Sequence, residues 1–95
     1  MSQNTKVTIY TIFGCPYCAK AKEMLDLLKI EYEEKDLSVH PDRRAFTSSI
    51  LPGHTTVPLI LIGDEAIGGL SELETLHGEG KLEEKVFGGN GTTES

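Results

Sequence analysis

The run from Lys6 to Cys18, KVTIYTIFGCPYC, decides the fold. Its first half, Lys6 to Thr11, alternates Val7 and Ile9 with Thr8 and Tyr10. β-branched and aromatic residues dominate it, so it predicts a strand. Gly14 breaks that strand. Pro16 suits the first turn of a helix, where its missing N–H has no partner to lose. Tyr17, Ala21, Met24, Leu25 and Leu28 then recur at helical spacing, with Lys20, Lys22, Glu23, Asp26 and Lys29 mostly on the other side. A strand thus hands over to an amphipathic helix where Cys15 and Cys18 stand one helical turn apart.

Outward from that point, Glu31 to Leu37 reads as a short polar strand. Ser38 or His40 is the expected cap of a second helix, with Pro41 and Asp42 in its first turn, Phe46 and Ile50 facing inward, and Pro52-Gly53 ending it. Val57 to Ile62, VPLILI, is nearly continuous in apolar residues, as a strand buried on both faces requires, and Pro58 sits near its start, where a missing N–H is tolerable. Gly63-Asp64-Glu65 signals a hairpin that pairs Ala66-Ile67 antiparallel to it. After Gly68-Gly69, Ser71 is the expected cap of a helix carrying Leu73 and Leu76, with Glu72 and Glu74 at its positive end. Gly78 and Gly80 interrupt it, and Leu82, Val86 and Phe87 form a last helical face. The order β-α-β-α-β-β-α needs a right-handed parallel crossover followed by a hairpin. The expected architecture is α/β: a mixed four-stranded sheet with helices on both faces. One domain covers residues 1–87, and residues 88–95 (GGNGTTES) form a polar tail expected to be disordered.

The 95-residue length fits a single domain, and 38% hydrophobic with 25% charged residues is an ordinary globular mixture. Nine basic and fifteen acidic residues give a net charge of −6, which repels phosphate backbones and anionic lipid. Nucleic-acid binding and membrane docking are therefore not expected. No apolar run approaches the roughly 18 residues of a membrane span. Two cysteines are too few for a disulfide-stapled secreted domain, and the first residues show no apolar leader, so the expected location is a reducing cytoplasm.

In such a compartment a lone Cys-x-x-Cys is chemistry or metal before it is a staple. Cys15 falls at a helix N-terminus, where free N–H groups and the helix dipole favour an anion. Its thiol is therefore expected to ionise more readily than the ordinary value of about 8.5. Cys18, one turn in, is expected to stay protonated and act second: Cys15 attacks a disulfide and Cys18 resolves the mixed disulfide. A metal site within one chain is not expected, because four ligands are normally needed and His40, His54 and His77 are scattered. A site bridging two chains through Cys15 stays open.

Three motifs in order, Cys15-Pro16-Tyr17-Cys18, Thr56-Val57-Pro58 and Gly68-Gly69, carry a resemblance. From about Lys6 to Phe87 the chain resembles the dithiol glutaredoxins of the thioredoxin-fold superfamily. The resemblance implies a cis bond before Pro58, with glutathione as co-substrate and no permanently bound cofactor. It implies a glutathione site in which Tyr17 flanks the tripeptide and the backbone of Thr56 and Val57 pairs with it. Leu70, Ser71 and Glu72 would hold its γ-glutamyl end; many members carry Asp where Glu72 stands. Many members also carry Lys three residues before the first cysteine; here that position is Ile12, and His54 and Lys20 are the expected substitutes for its charge. The implied partners are glutathione and disulfide-containing or glutathionylated proteins, acted on by a monomer. Two alternatives are implied as well. One is a redoxin reduced by thioredoxin reductase and serving ribonucleotide reductase. The other is a carrier of a 2Fe–2S cluster held by Cys15 of two chains and two glutathiones; the Pro16-Tyr17 dipeptide argues against it, since carriers have Gly-Phe there.

Overall fold

The computed structural model describes Gln3 and residues 5–87. The elements are β1 (Val7–Thr11), α1 (Pro16–Leu27), β2 (Tyr32–Asp36), α2 (Arg43–Ile50), β3 (Leu59–Ile62), β4 (Glu65–Gly68), α3 (Leu70–Gly78) and α4 (Lys81–Phe87). They build a mixed four-stranded sheet in the order β2-β1-β3-β4. β1 runs parallel to β2 and antiparallel to β3, and β3 pairs antiparallel with β4. The tail expected over 88–95 lies outside the described residues.

The alternation in β1 sorts the two faces. Val7 pairs with Ile62 and Ile9 with Ile60, and these four pack with Ala21 and Leu25 of α1, Leu73 of α3, and Leu82 and Val86 of α4. On the opposite face Tyr10 meets Phe46 of α2 edge-to-face, with ring centroids 5.2 Å apart. Leu59, the register partner of Tyr10, is fully buried. β2 is the polar edge, exposed along most of its length, and its charges discourage pairing with another chain. α1 ends in a Schellman motif: Ile30 N–H donates to Leu25 O and Lys29 N–H to Asp26 O, with Lys29 at φ 60 where glycine is usual.

Three expectations change. Asp42, not Ser38 or His40, caps α2: its Oδ1 accepts the Ala45 N–H at 3.1 Å. Ser38 instead accepts the Phe13 N–H at 2.7 Å, and His40 Nδ1 accepts the Asp42 N–H at 3.0 Å, so both brace loops rather than begin a helix. α3 starts two residues earlier than a Ser71 cap implies, with Gly69 as its cap. Tyr17, in phase with Ala21, is nevertheless 63% exposed and borders an open groove; the buried stripe of α1 begins at Cys18.

The topology gathers the informative loops. α1 and α2 begin at the carboxyl ends of the parallel strands β1 and β2. β3 begins, and β4 ends, at that same end. Cys15, Arg43, Pro58 and Gly69 therefore share one end of the sheet, where open α/β folds place their ligands.

Candidate active site

Cys15 is the N-cap of α1, in extended backbone, and its Sγ accepts the Cys18 N–H at 3.2 Å. Both thiols are free. They sit in unlike surroundings. Cys15 is half-buried, whereas Cys18 is only 2% exposed. Burial pushes the Cys18 thiol up to about 12, and its hydrogen bond to Cys15 adds to the rise. The Ile12 backbone and the Lys22 ammonium pull the other way. A buried thiol that keeps its proton beside a more open one is the asymmetry that stepwise exchange requires.

A groove of about 460 Å³ lies beside this pair, lined by Tyr17, His54, Thr56, Val57, Pro58, Gly69, Leu70, Ser71, Glu72 and Glu74. The Val57–Pro58 bond is cis. Gly68 has φ +117, a region that side-chain-bearing residues rarely adopt. Gly69 is tightly placed for another reason: a Cβ there would stand 3.2 Å from the Pro58 carbonyl, closer than such contacts usually come. The α3 N-terminus is held by Glu72, whose Oε1 accepts the Gly69 N–H at 2.9 Å and the Ser71 hydroxyl at 3.2 Å. The Gly69 bond is the main reason its carboxyl titrates below the usual range. His54 Nε2 lies 3.2 Å from Pro58 O, and the His54 ring packs beside Gly69.

Thr56 and Val57 also border a second cavity of about 420 Å³, which reaches Cys15 and contains Ile12, Pro16, Thr47, Thr55, Arg43 and Arg44. The structure thus brings together every residue expected of the site except Lys20, which is exposed and lines neither cavity. His54 stands on the α3 side, away from Ile12. Lys22 shares a cavity with Ile12 on the β2 side, and on the α2 side Ile12 is joined by Arg43 and Arg44, which sequence reasoning did not place in the site. One signal for the two arginines existed. They open the first turn of α2, where the positive end of the helix dipole disfavours them, and such local mismatches mark function. Among the described residues no three His, Cys, Asp or Glu side chains are grouped to hold a metal ion.

The family sequence model for glutaredoxins matches residues 7–67. The chain belongs to the glutaredoxin family. It is 39% identical over 77 residues to a glutaredoxin of Pseudomonas aeruginosa, covering 81% of this chain and 90% of that one. The solution structure of a Brucella melitensis glutaredoxin superposes with a TM-score of 0.76 at 41% identity, over 86% of this chain and 88% of that one. A buckwheat glutaredoxin–glutathione complex superposes with a TM-score of 0.78 at 27% identity, over 86% of this chain and 76% of the other. The fold is therefore the thioredoxin-type α/β fold of this family. As a glutaredoxin the protein is a thiol–disulfide oxidoreductase, and no helix among its described residues is long and apolar enough to cross a membrane.

Proposed function

We propose that this glutaredoxin uses glutathione to reduce protein–glutathione mixed disulfides and protein disulfides, with Cys15 as attacking thiolate and Cys18 as resolving thiol. The observation that carries the reading is the charge layout along the two joined cavities. Glutathione has an ammonium and a carboxylate at one end and a second carboxylate at the other. At one end of the site, the α3 N-terminus offers N–H donors to a carboxylate, and Glu72 is an acceptor for an ammonium. At the other end Arg43 and Arg44 face Cys15 across the second cavity. The Gly69 N–H and the Ser71 hydroxyl both donate to Oε1 of Glu72, which fixes the carboxylate at the mouth of the groove. Between the ends, the Val57 backbone pairs with the tripeptide as a short added strand. The buckwheat complex, of the same fold, is a glutathione complex and supports this reading.

The steps follow from the two sulfurs. With a mixed disulfide, the Cys15 thiolate attacks the glutathione sulfur, and the target leaves as a thiol. A second glutathione then frees the enzyme. With a protein disulfide, Cys18 displaces the target thiol from Cys15 and closes the Cys15–Cys18 bond, which glutathione reopens. The reaction suits a reducing compartment such as the cytoplasm. In this account Arg43 and Arg44, rather than Lys20 or His54, supply the charge absent at Ile12. The decisive assay is deglutathionylation of a model peptide, with electrons from either the glutathione/glutathione reductase or the thioredoxin reductase system. Turnover is expected with the first alone; turnover only with thioredoxin reductase would overturn the glutathione reading.

A further inference from the structure

The mixed-disulfide route needs only Cys15, but reducing a protein disulfide, which closes the Cys15–Cys18 bond, requires Cys18 to ionise inside the protein. A third cavity, about 500 Å³, opens on the β2 side of the cysteines and is lined by Phe13, Cys15, Cys18, Lys22, Glu34 and Asp36, among others. Cys18 and Lys22 are four residues apart on α1, so they share one face a turn apart. Lys22 Nζ is 3.0 Å from Glu34 Oε2. The same oxygen accepts the Thr11 hydroxyl at 2.7 Å, and Thr11 is buried in β1. Glu34 is therefore anchored through the neighbouring strand, and Lys22 is held in turn by Glu34. The charged and titratable groups here are Cys15 and Lys22 from α1, and Tyr32, Glu34 and Asp36 from β2.

We propose that Lys22 is the cation that stabilises the Cys18 thiolate in the resolving step, and that Glu34, anchored by Thr11, sets how much of that charge Cys18 receives. Glu34 and Thr11 are positioning residues acting through Lys22. The inference rests on the resolving role of Cys18 given above. The step balances within the protein and its target. Cys18 gives its proton to solvent in the cavity, and its sulfur attacks Cys15 Sγ in the mixed disulfide. The Cys15–Cys18 bond forms as the bond from Cys15 to the target sulfur breaks. The target leaves as a thiolate and takes up a proton. The Lys22 ammonium lowers the barrier to the anion, and the Glu34 carboxylate opposes it. Removing either one must therefore act in opposite directions.

The test mixes reduced protein with dithiodipyridine, a neutral disulfide, in a stopped-flow instrument. The first thiopyridone released reports attack by Cys15, and the second reports resolution by Cys18. Lys22→Gln is expected to slow the second phase at neutral pH by roughly threefold, the effect of about half a pK unit on a thiolate-limited rate. Its pH profile should move to the alkaline side. Glu34→Gln, which keeps an acceptor for Thr11, is expected to speed that phase by a similar factor and move the profile to the acid side. Lys22→Arg should stay close to the wild type, and thermal melts would verify that each variant is folded. Profiles that superimpose on the wild type, or that both move the same way, would overturn the inference while leaving the dithiol route intact. A folded wild type with no second phase would remove the resolving role itself, and the inference with it.

Discussion

On one flank of Cys15 the site is made mostly of backbone: the cis Val57–Pro58 bond, the Gly68-Gly69 pair and the N-terminus of α3. On the other flank it is made of side-chain charges on α1 and the edge strand β2, partly open to water. Backbone groups fixed by cap and sheet hold one ligand shape and cost little reorganisation when it arrives. Side-chain charges at roughly one-third exposure are screened and adjustable. The first flank is thus suited to recognising a constant co-substrate. The second is suited to tuning the reactivity of a sulfur that meets many different target proteins.

The comparison breaks most visibly at the cysteines themselves. Cys18→Ser is expected to lower protein-disulfide reduction by about a hundredfold or more, since the resolving nucleophile is gone, while sparing deglutathionylation. Equal loss in both assays would erase the distinction between the two routes. Next is the backbone flank. Gly69→Val puts a branched side chain against the Pro58 carbonyl and into the groove. Glutathione KM is expected to rise by about tenfold or more, equivalent to about 1.4 kcal/mol of lost binding, with the first phase of dithiodipyridine reduction changing far less. Isothermal titration of S-methylglutathione, which cannot exchange with the thiols, into the reduced enzyme would check the loss independently.

Arg43→Ala and Arg44→Ala sharpen the assignment at the far end of the groove. Each is expected to raise glutathione KM roughly threefold to fivefold, as loss of one exposed charge-assisted contact does, with kcat little changed. If Lys20→Ala produces the larger effect, the charge compensation has been misplaced. The smallest expected effect is at Glu72. Its carboxyl titrates below the ordinary range in the fold, mainly through the Gly69 N–H, so the charged form is the one that stabilises. That contribution is present above the usual carboxylate value and fades as pH falls through the lowered one. Glu72→Gln should cost about 0.5 kcal/mol at neutral pH after allowance for solvent screening, by chemical denaturation, and the gap from wild type should close in acid. A gap that widens in acid would reverse the sign.

What the sequence made legible was local. The handover from β1 to α1, the position of Cys15 at a helix start, and the apolar run of β3 all follow from short-range periodicity and turn chemistry, and all are present in the fold. The misplaced features depend on contacts between distant segments. Ser38 has the chemistry of a helix cap, but the Phe13 N–H across the loop claims its hydroxyl. Ser71 has it too, but Gly69 takes the cap position, where Glu72 reaches back to accept its N–H. Tyr17 obeys the helical period yet stays exposed, bordering the groove rather than the core. Arg43 and Arg44 join the site only when α2 docks beside the Cys15 loop, and no spacing along the chain encodes that approach. Within the site, the residues known from motif resemblance line the backbone flank. The charged flank of Lys22 and Glu34 has no motif to announce it.

Limited alkylation is the most direct test of the whole account. Reduced protein treated with one equivalent of iodoacetamide near neutral pH should carry the adduct on Cys15 almost exclusively, as located by peptide mass mapping, with Cys18 modified only after unfolding. Comparable labelling of both sulfurs in the folded protein would contradict the division of labour on which the mechanism stands.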